Sequence, residues 1–514
     1  MTVATSGRPA DAPGGRPAPD GLGDACGPEG AGSTDGPEGH HPRHPAPAAA
    51  AGRALKQRHL TLMALGGAVG TGLFLGCAQT IHSAGPAAVL SYALAGLLVI
   101  LVMRMLGEMV VARPMAGSFA DYARLALGDW AGFTIGWLYW YAFVAIVAIE
   151  AIAGGRIVHG WLPEVPDWAV SVVLLTAVAV VNLCSTGSFG SVEFWLAIVK
   201  IGAIVGFLAL GTAYVCGFWP GDASPHLSHF VDHGGFLPNG PGAVLAATVV
   251  VVFAFGGTEI VTIAAAETPD PEAAVARATR QVLWRVVIFF LGSIFLVVAI
   301  VPWDTLTGTE SPYATAMARM GVPFAGTVMT AVILAALLSV LNSTLYASSR
   351  MLTTLCRHGE APRALAHTNR RGTPARALLL GTVMGYLSIG AQVLQPERTF
   401  GFLLDSTGAV LIFLYVTIAV SQLRLGTRAR RTEPHRLTFR MWAHPHLTWL
   451  TIAALLAILF SMALFADTRP QLLMSLGSLG VVLLAYGVRR AVRGVSRGRR
   501  ARMVSAAPGT GVED

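Results

Sequence analysis

Twelve long apolar segments follow one another between residues 60 and 489, and they restrict the fold more than any other feature of the sequence. Each is long enough to cross a bilayer core of about 30 Å as an α-helix. Only 12% of the residues are charged, whereas soluble domains carry about 25%. We therefore expect an all-α polytopic membrane protein with 12 transmembrane helices at approximately 60–81, 86–111, 130–155, 167–184, 192–217, 243–266, 281–302, 326–355, 374–395, 401–423, 447–466 and 471–489.

The basic residues are concentrated in alternate loops and in the two termini. They precede the first segment, separate the eighth from the ninth and the tenth from the eleventh, and follow the twelfth, whereas the loop 218–242 has no Lys or Arg. Because cytoplasmic loops carry the excess of Lys and Arg, both termini are predicted to be cytoplasmic in the cell membrane. The predicted organisation is a disordered tail at 1–52, a transmembrane domain at 53–490 and a basic cytoplasmic tail at 491–514.

Glycines interrupt the first and sixth segments in mid-span. The first segment carries Gly66, Gly67, Gly70 and Gly72 around a polar threonine, and the sixth contains the sequence GGTE at 256–259. Gly66 and Gly70 form a GxxxG pattern, so close packing of two helices is one interpretation of the first segment. Two interrupted segments about half a chain apart favour the other, in which both helices break around a transporter's substrate site.

A broken helix offers a complement to each charge of an amino acid. Free amides at a half-helix N-terminus attract the carboxylate, carbonyls at a half-helix C-terminus attract the ammonium, and glycine lets the substrate approach the backbone. We expect the carboxylate near Thr71 and the ammonium near the carbonyls of 253–255. The candidate substrate-binding residues are Gly67, Gly70, Thr71, Gly72, Phe253, Ala254, Phe255, Gly256 and Gly257.

Two charged residues inside the segments are candidates for proton coupling. Glu259 lies in the middle of the sixth segment, where a charge costs roughly 2.5–3.5 kcal/mol on insertion scales, so a functional role is the default interpretation. A structural ion pair is the alternative for Glu259, and an extended side chain that reaches the interface is the alternative for Lys200 in the fifth segment. Arg285 is interpreted as an anchor at the inner interface. The five cysteines lie far apart without metal-ligand spacing, and no metal site or cofactor is predicted.

Several separated motifs resemble those of one transporter family. They are SAGP at 83–86 with the Gly107–Glu108 pair before Pro114, GGAVGTGLFLG in the first segment, FAFGGTEIVTIAAAE in the sixth and LNSTLYASSRML in the eighth. In this order they are similar to the bacterial amino acid transporter family of the amino acid–polyamine–organocation superfamily, over about residues 53–490. FLLDSTGAVLIFLYVTIAVSQLRL at 402–425 and EIVTIAAAE at 259–267 look most like 4-aminobutyrate (GABA) permeases.

The resemblance implies a fold of two inverted five-helix repeats with broken helices 1 and 6, formed by segments 1–5 and 6–10, with segments 11 and 12 appended. It also implies that Phe253 is an aromatic gate over the substrate. Lys200 would take the place of the ion that sodium-coupled relatives hold, as a cation that can lose its proton. In that role it would donate to the carbonyls near Gly66 and Gly67.

The expected function is therefore proton-coupled secondary active uptake of amino acids, with GABA favoured. A broad neutral or aromatic amino acid permease is the alternative, and a membrane sensor that binds amino acids without moving them is the alternative of a different class. No HExxH or clustered His/Asp pattern points to an enzyme. The expected partners are an amino acid, protons and the lipid bilayer. Nucleic acid is not expected, because the basic residues lie between apolar segments.

Overall fold

Every regular element within the described residues is a helix. The computed structural model describes residues 69–113, 119–184, 186–219, 227–259, 271–306, 311–370, 372–466 and 468–505. In chain order the α-helices are α1 (Thr71–Phe74), α2 (Gly76–Ala84), α3 (Ala88–Ala112), α4 (Phe119–Leu127), α5 (Asp129–Trp161), α6 (Asp167–Cys184), α7 (Thr186–Val215), α8 (Gly240–Ala254), α9 (Pro271–Trp284), α10 (Ser293–Ile300), α11 (Pro312–Arg319), α12 (Ala325–Arg357), α13 (Ala375–Leu394), α14 (Pro396–Thr407), α15 (Val410–Thr432), α16 (His446–Leu464) and α17 (Arg469–Ser505).

Ten helical stretches within these ranges are long and apolar enough to cross a membrane. The second half of predicted segment 1 continues into segment 2 as one stretch, Gly72–Ala112, and α8 in segment 6 is a shorter apolar helix. The all-helical polytopic class is therefore confirmed. The count of twelve and the inverted repeat stay predictions.

The described helices of segments 1 and 6 begin and end beside the glycines, while the first half of segment 1 lies outside the described residues. Helix α1 begins at Thr71, and its first turn is closed by hydrogen bonds from the amides of Leu73 and Phe74 to the Gly70 carbonyl, at 3.2 and 3.3 Å. Helix α8 ends at Ala254 and is followed by turns in which Gly257 has a φ of 92°. That value lies in the left-handed region that glycine adopts without a steric cost.

The predicted tenth span at 401–423 lies within one membrane-length stretch, Arg398–Thr432, whose helix has a two-residue interruption. Helix α14 ends at Thr407 and α15 begins at Val410. Ser475 of α17 satisfies the backbone at this interruption, because its Oγ accepts from the Ala409 amide at 3.1 Å and donates to the carbonyls of Asp405 and Ser406 at 3.2 and 3.3 Å. A helix can break within a membrane when a neighbouring helix supplies such partners.

The long helices α5 and α12 pack along each other at the centre of the described bundle, and α7 packs on the other side of α12. Small residues allow the close approach. A Cβ atom at Gly136 of α5 would lie 2.8 Å from Leu355 Cδ2 of α12. Close packing through small residues is typical of membrane helices, because lipid provides no hydrophobic driving force between them.

A buried carboxylate joins α3, α15 and the loop before α16. Glu108 is 1% exposed and accepts hydrogen bonds from both terminal nitrogens of Arg430 (3.1 and 2.8 Å), from Gln422 Nε2 (2.8 Å) and from the Met441 amide (2.5 Å). His444 lies beside this cluster, with Nδ1 3.3 Å from Gln422 Nε2. Its other ring nitrogen is 3.1 Å from the Thr427 hydroxyl.

We expect His444 to make stability depend on pH. Burial and then the Arg430 guanidinium lower the pKa of His444 below its usual 6.5, against an opposing effect of the Glu108 carboxylate. Below pH 6.5 the unfolded chain therefore binds a proton that the folded chain does not, so stability falls as the pH drops toward the folded-state pKa. Thermal unfolding in detergent between about pH 5 and pH 8 measures this slope, and His444→Gln is expected to flatten it. Equal slopes for both proteins would contradict the assignment.

Candidate functional site

Helices α1 and α2 of segment 1 pack against α8 of segment 6. A Cβ atom at Gly72 would lie 2.6 Å from Ala254 Cβ and 2.7 Å from Ala254 Cα, so the start of α1 packs directly on the last residue of α8. On another side of α1, a Cβ at Gly70 would lie 2.5 Å from Val340 Cγ2 of α12. The N-terminus of α1 is therefore enclosed by α8 and α12. Its amides and the carbonyl end of α8 lie side by side, as the opposite charges of an amino acid require.

All candidate backbone residues except Gly67 lie within the described chain. Gly70 and Gly72 flank the start of α1, while Gly67 lies outside the described residues and nothing is described of the Thr71 side chain. In segment 6, Phe253 is half-buried and Phe255 is fully buried, with its ring centroid 4.4 Å from that of Phe290. The two phenylalanines therefore differ in exposure, and a movable gate suits the half-buried Phe253 better.

Gly256 and Gly257 allow the turn after α8 to pack closely. A Cβ at Gly256 would lie 2.8 Å from Leu411 Cδ1 of α15. The Gly257 amide donates to Glu259 Oε1 at 3.2 Å. These two glycines thus set the approach of α15 and the orientation of the Glu259 carboxylate.

Glu259 is fully buried beside two tyrosines that the sequence analysis missed. Tyr139 of α5 and Tyr415 of α15 interact electrostatically with its carboxylate. The Tyr139 hydroxyl interacts with the Glu259 side chain, and the Tyr415 hydroxyl interacts with that of Thr258. These hydroxyls place the buried carboxylate in a polar group of side chains that can bind a polar ligand. Helical periodicity alone does not distinguish these tyrosines from other aromatic residues that line the core.

Arg285 is also part of this region, and its prediction as an interfacial anchor is wrong. The side chain is 1% exposed and interacts electrostatically with Tyr415 and Glu259. The prediction failed because helix α9 begins at Pro271 rather than at 281, which moves Arg285 from the end of the segment into its interior. Arg285 opens a π-helix, Arg285–Gly292, between α9 and α10. Such wide turns within helices occur frequently at functional sites.

Lys200 is fully buried in a polar network between α7 and α12. Its Nζ donates to Ser339 Oγ at 2.6 Å and lies 3.8 Å from Glu193 Oε1, and the Ser339 hydroxyl donates to the same oxygen at 2.5 Å. Asn342 Nδ2 donates to Glu193 Oε2 at 3.3 Å and Asn182 donates to Asn342 Oδ1 at 2.8 Å. The alternative of a lysine that extends to the interface does not fit this arrangement.

The sequence analysis missed Glu193 because it began segment 5 at residue 192, which placed Glu193 at the membrane edge. Helix α7 begins at Thr186. Glu193 and Lys200 are seven residues apart, a spacing that puts both on one helix face and could have revealed the pair. The predicted contact of Lys200 with Gly66 and Gly67 lies outside the described residues. Within the described residues, the Lys200 network is linked to segment 1 through Val340, which follows Ser339 in the chain and contacts Gly70.

Within the described ranges, no group of three or more His, Cys, Asp and Glu side chains is arranged to hold a metal ion. The candidate site offers backbone amides and carbonyls, hydroxyls and charged side chains. Together they can bind a small zwitterion and hold or release a proton.

Comparison with known proteins gives a consistent result along the chain. The profile of the family described as "Amino acid permease" matches residues 59–492. The chain is 45% identical to the gamma-aminobutyric acid permease of Bacillus subtilis (strain 168), over 85% of this chain and 93% of the relative. It is 44% identical to the protein of the same name from Escherichia coli (strain K12), over 85% and 92%. Identity is 40% to the aromatic amino acid transport protein AroP of Corynebacterium glutamicum, over 82% and 91%.

Proposed function

We propose that this chain, which belongs to the amino acid permease family and is a multi-pass membrane protein, carries GABA into the cell together with protons. In this proposal it lies in the cell membrane with both termini in the cytoplasm. The observation that supports this proposal is the contact between the N-terminus of α1 and the C-terminal end of α8, next to the buried Glu259. Membership of the family supports amino acid uptake. The choice of GABA and the coupling to protons are the proposed parts.

The substrate carboxylate binds at the amides of 70–72 in this proposal. GABA separates its two charges by three methylene groups, so its ammonium reaches farther than an α-amino group would. It is then received by the carbonyls of 253–255 or by the Glu259 carboxylate. Tyr139 and Tyr415, which lie beside Glu259, carry hydroxyls that can donate to an oxygen of the substrate.

The proton is carried or controlled by Lys200 with Glu193 in the same proposal. A buried ion pair is stable only while both charges are present, since an unpaired charge in an apolar interior is strongly penalised. Loss of the Lys200 proton therefore changes the interaction between α7 and α12. Because Val340 of α12 contacts Gly70, that change is coupled to the substrate site by a short path.

Proton coupling is tested with the full-length protein in reconstituted vesicles. We expect labelled GABA to accumulate when an inward proton gradient is imposed without sodium, and accumulation to stop when an uncoupler is added. Vesicles given a sodium gradient alone are the matched control. Accumulation that persists with the uncoupler, or that requires sodium, would rule out the proposed coupling.

Substrate choice is tested in the same vesicles by competition. Unlabelled GABA is expected to inhibit the uptake of labelled GABA more strongly than alanine, serine or phenylalanine. The sequence identities support this order, since they are 44–45% to the GABA permeases and 40% to an aromatic amino acid transporter. Stronger inhibition by phenylalanine or by neutral α-amino acids would favour the alternative permease. Binding without any accumulation would instead favour a sensor.

A further inference from the structure

A large groove lies between α5, α14 and α17, away from the region around Glu259. Its volume is about 790 Å³, and its wall is mainly aromatic and aliphatic. Leu473 and Val481 of α17, which line it, are 61% and 68% exposed. Helix α17 crosses the membrane over Arg469–Arg493. The groove is therefore open to the hydrocarbon interior of the bilayer along α17.

The groove ends at a group of guanidinium ions. Arg489 Nη1 lies 3.4 Å from Glu360 Oε1, and the Arg489 guanidinium carbon lies 5.2 Å from the centre of the Phe133 ring. Arg489 and Arg493 donate to the Gly359 carbonyl at 3.0 and 2.9 Å, and Arg124 lies 2.7 Å from the same Glu360 oxygen. Arg124 and Arg489 thus lie at one buried carboxylate, Glu360, and Arg493 joins them at the neighbouring Gly359 carbonyl. The more exposed Asp129 lies on the far side of Arg124.

Two hydrogen-bond donors lie in the groove wall below these charges. The indole Nε1 atoms of Trp137 and Trp140 are buried and have no acceptor within the ranges that the structure describes. Along α5 they lie about 6 and 10 Å beyond Phe133, at 1.5 Å per residue. Moving inward from the basic end, the wall therefore presents cations, then indole donors, then apolar side chains. A phospholipid presents the complementary groups in this order, namely a phosphate, ester carbonyls and acyl chains.

We propose that this groove is a specific site for an anionic phospholipid of the inner leaflet. The phosphate binds at Arg489 and Arg493, the ester carbonyls accept from Trp137 and Trp140, and one acyl chain fills the groove along α17. An anionic headgroup is favoured because the ammonium of a zwitterionic lipid would be brought close to the same arginines. Basic pockets between membrane helices on the cytoplasmic side recognise anionic headgroups in this way.

A second copy of this chain is a poorer occupant than a lipid. Its own α17 would bring further positive charge to the basic end, since the sequence that follows the groove contains Arg490, Arg497, Arg499, Arg500 and Arg502. Like charges at such an interface repel one another. Phospholipid neutralises these charges instead.

The site is tested by photo-cross-linking of the full-length protein in phosphatidylcholine vesicles that contain a phosphatidylglycerol with a diazirine on its acyl chain. We expect adducts on peptides of α5 and α17, and unlabelled phosphatidylglycerol, but not added phosphatidylcholine, should compete for them. Arg489→Gln is expected to lower the adduct yield about fivefold, the effect of one basic residue near anionic lipid. Arg490→Gln, a change at the adjacent exposed residue, is the matched control and should have a smaller effect.

Trp140→Phe keeps the aromatic ring and removes only the indole donor, so it tests the ester contact without a change of charge. Labelled GABA binding and monodisperse elution verify that each variant is folded. Lower yield in this variant and in Arg489→Gln supports the site. Equal competition by phosphatidylcholine, yields unchanged in both variants, or adducts that link two copies of the chain would each overturn it.

Discussion

Lys200→Met is expected to abolish proton-driven accumulation while the protein still binds GABA. The substitution keeps the length and apolar character of the side chain but removes the charge that interacts with Glu193 at 3.8 Å. It also leaves Glu193 buried without its cation, and breaking a buried pair in this way costs about 3–5 kcal/mol. We therefore expect both a loss of accumulation of about tenfold or more and a lower unfolding temperature.

The double variant Lys200→Met with Glu193→Gln separates these two effects. Both members of the pair are then neutral, and the introduced amide can still hydrogen-bond to Ser339 and Asn342, so much of the stability should return. Proton-driven accumulation should not return, because no titratable group remains at the pair. Accumulation at the original level in a stable double variant, with the original pH dependence, would show that the pair has only a structural role.

Gly72→Ala is expected to reduce GABA uptake about tenfold or more, since it inserts a methyl group between the two interrupted helices. The new Cβ would lie 2.7 Å from the Ala254 Cα, a backbone atom that cannot rotate away. Overpacking of this kind costs about 1–3 kcal/mol and would separate α1 from α8.

Gly202→Ala is the matched control for this change. Gly202 also lies in a membrane helix, close to Lys200, but a Cβ there meets no neighbouring side chain or helix of the described residues within 4 Å. Uptake and thermal unfolding are measured for both variants. We expect the control to transport normally, and comparable uptake by the two variants would show that the contact at Gly72 does not organise the substrate site.

Much of the helical framework can be predicted from hydropathy because a helix must be long and apolar enough to cross the membrane. Predicted segment 4 coincides with α6, Asp167–Cys184, and predicted segment 8 at 326–355 differs little from α12, Ala325–Arg357. The end of α8 in segment 6 and the start of α1 at Thr71 were also predictable, since glycine and polar residues in mid-membrane are typical of broken transporter helices. Both signals are local in the sequence.

The missed features depend on contacts between distant parts of the chain. The break between α14 and α15 is stabilised by Ser475, which lies on another helix. Lys200 is held by Ser339, which is 139 residues away along the chain. Neither partner can be assigned without the packing of the helices. Arg285 was misplaced for another reason, because the start of α9 is polar and hydropathy places the segment boundary too late.

The π-helix Arg285–Gly292 changes the phase of the helix that contains it. One α-helical residue corresponds to a rotation of about 100°, so an inserted residue that widens a turn leaves the helix on either side facing different directions. Residues at the two ends of this π-helix contact different partners. Arg285 interacts electrostatically with Tyr415 and Glu259, whereas the Ser293 hydroxyl contacts that of Tyr313 at 2.8 Å. Removal of one residue between Arg285 and Ser293 would return the segment to an ordinary α-helix. Only one of these two residues could then keep its contacts. This segment is therefore expected to tolerate no change of length.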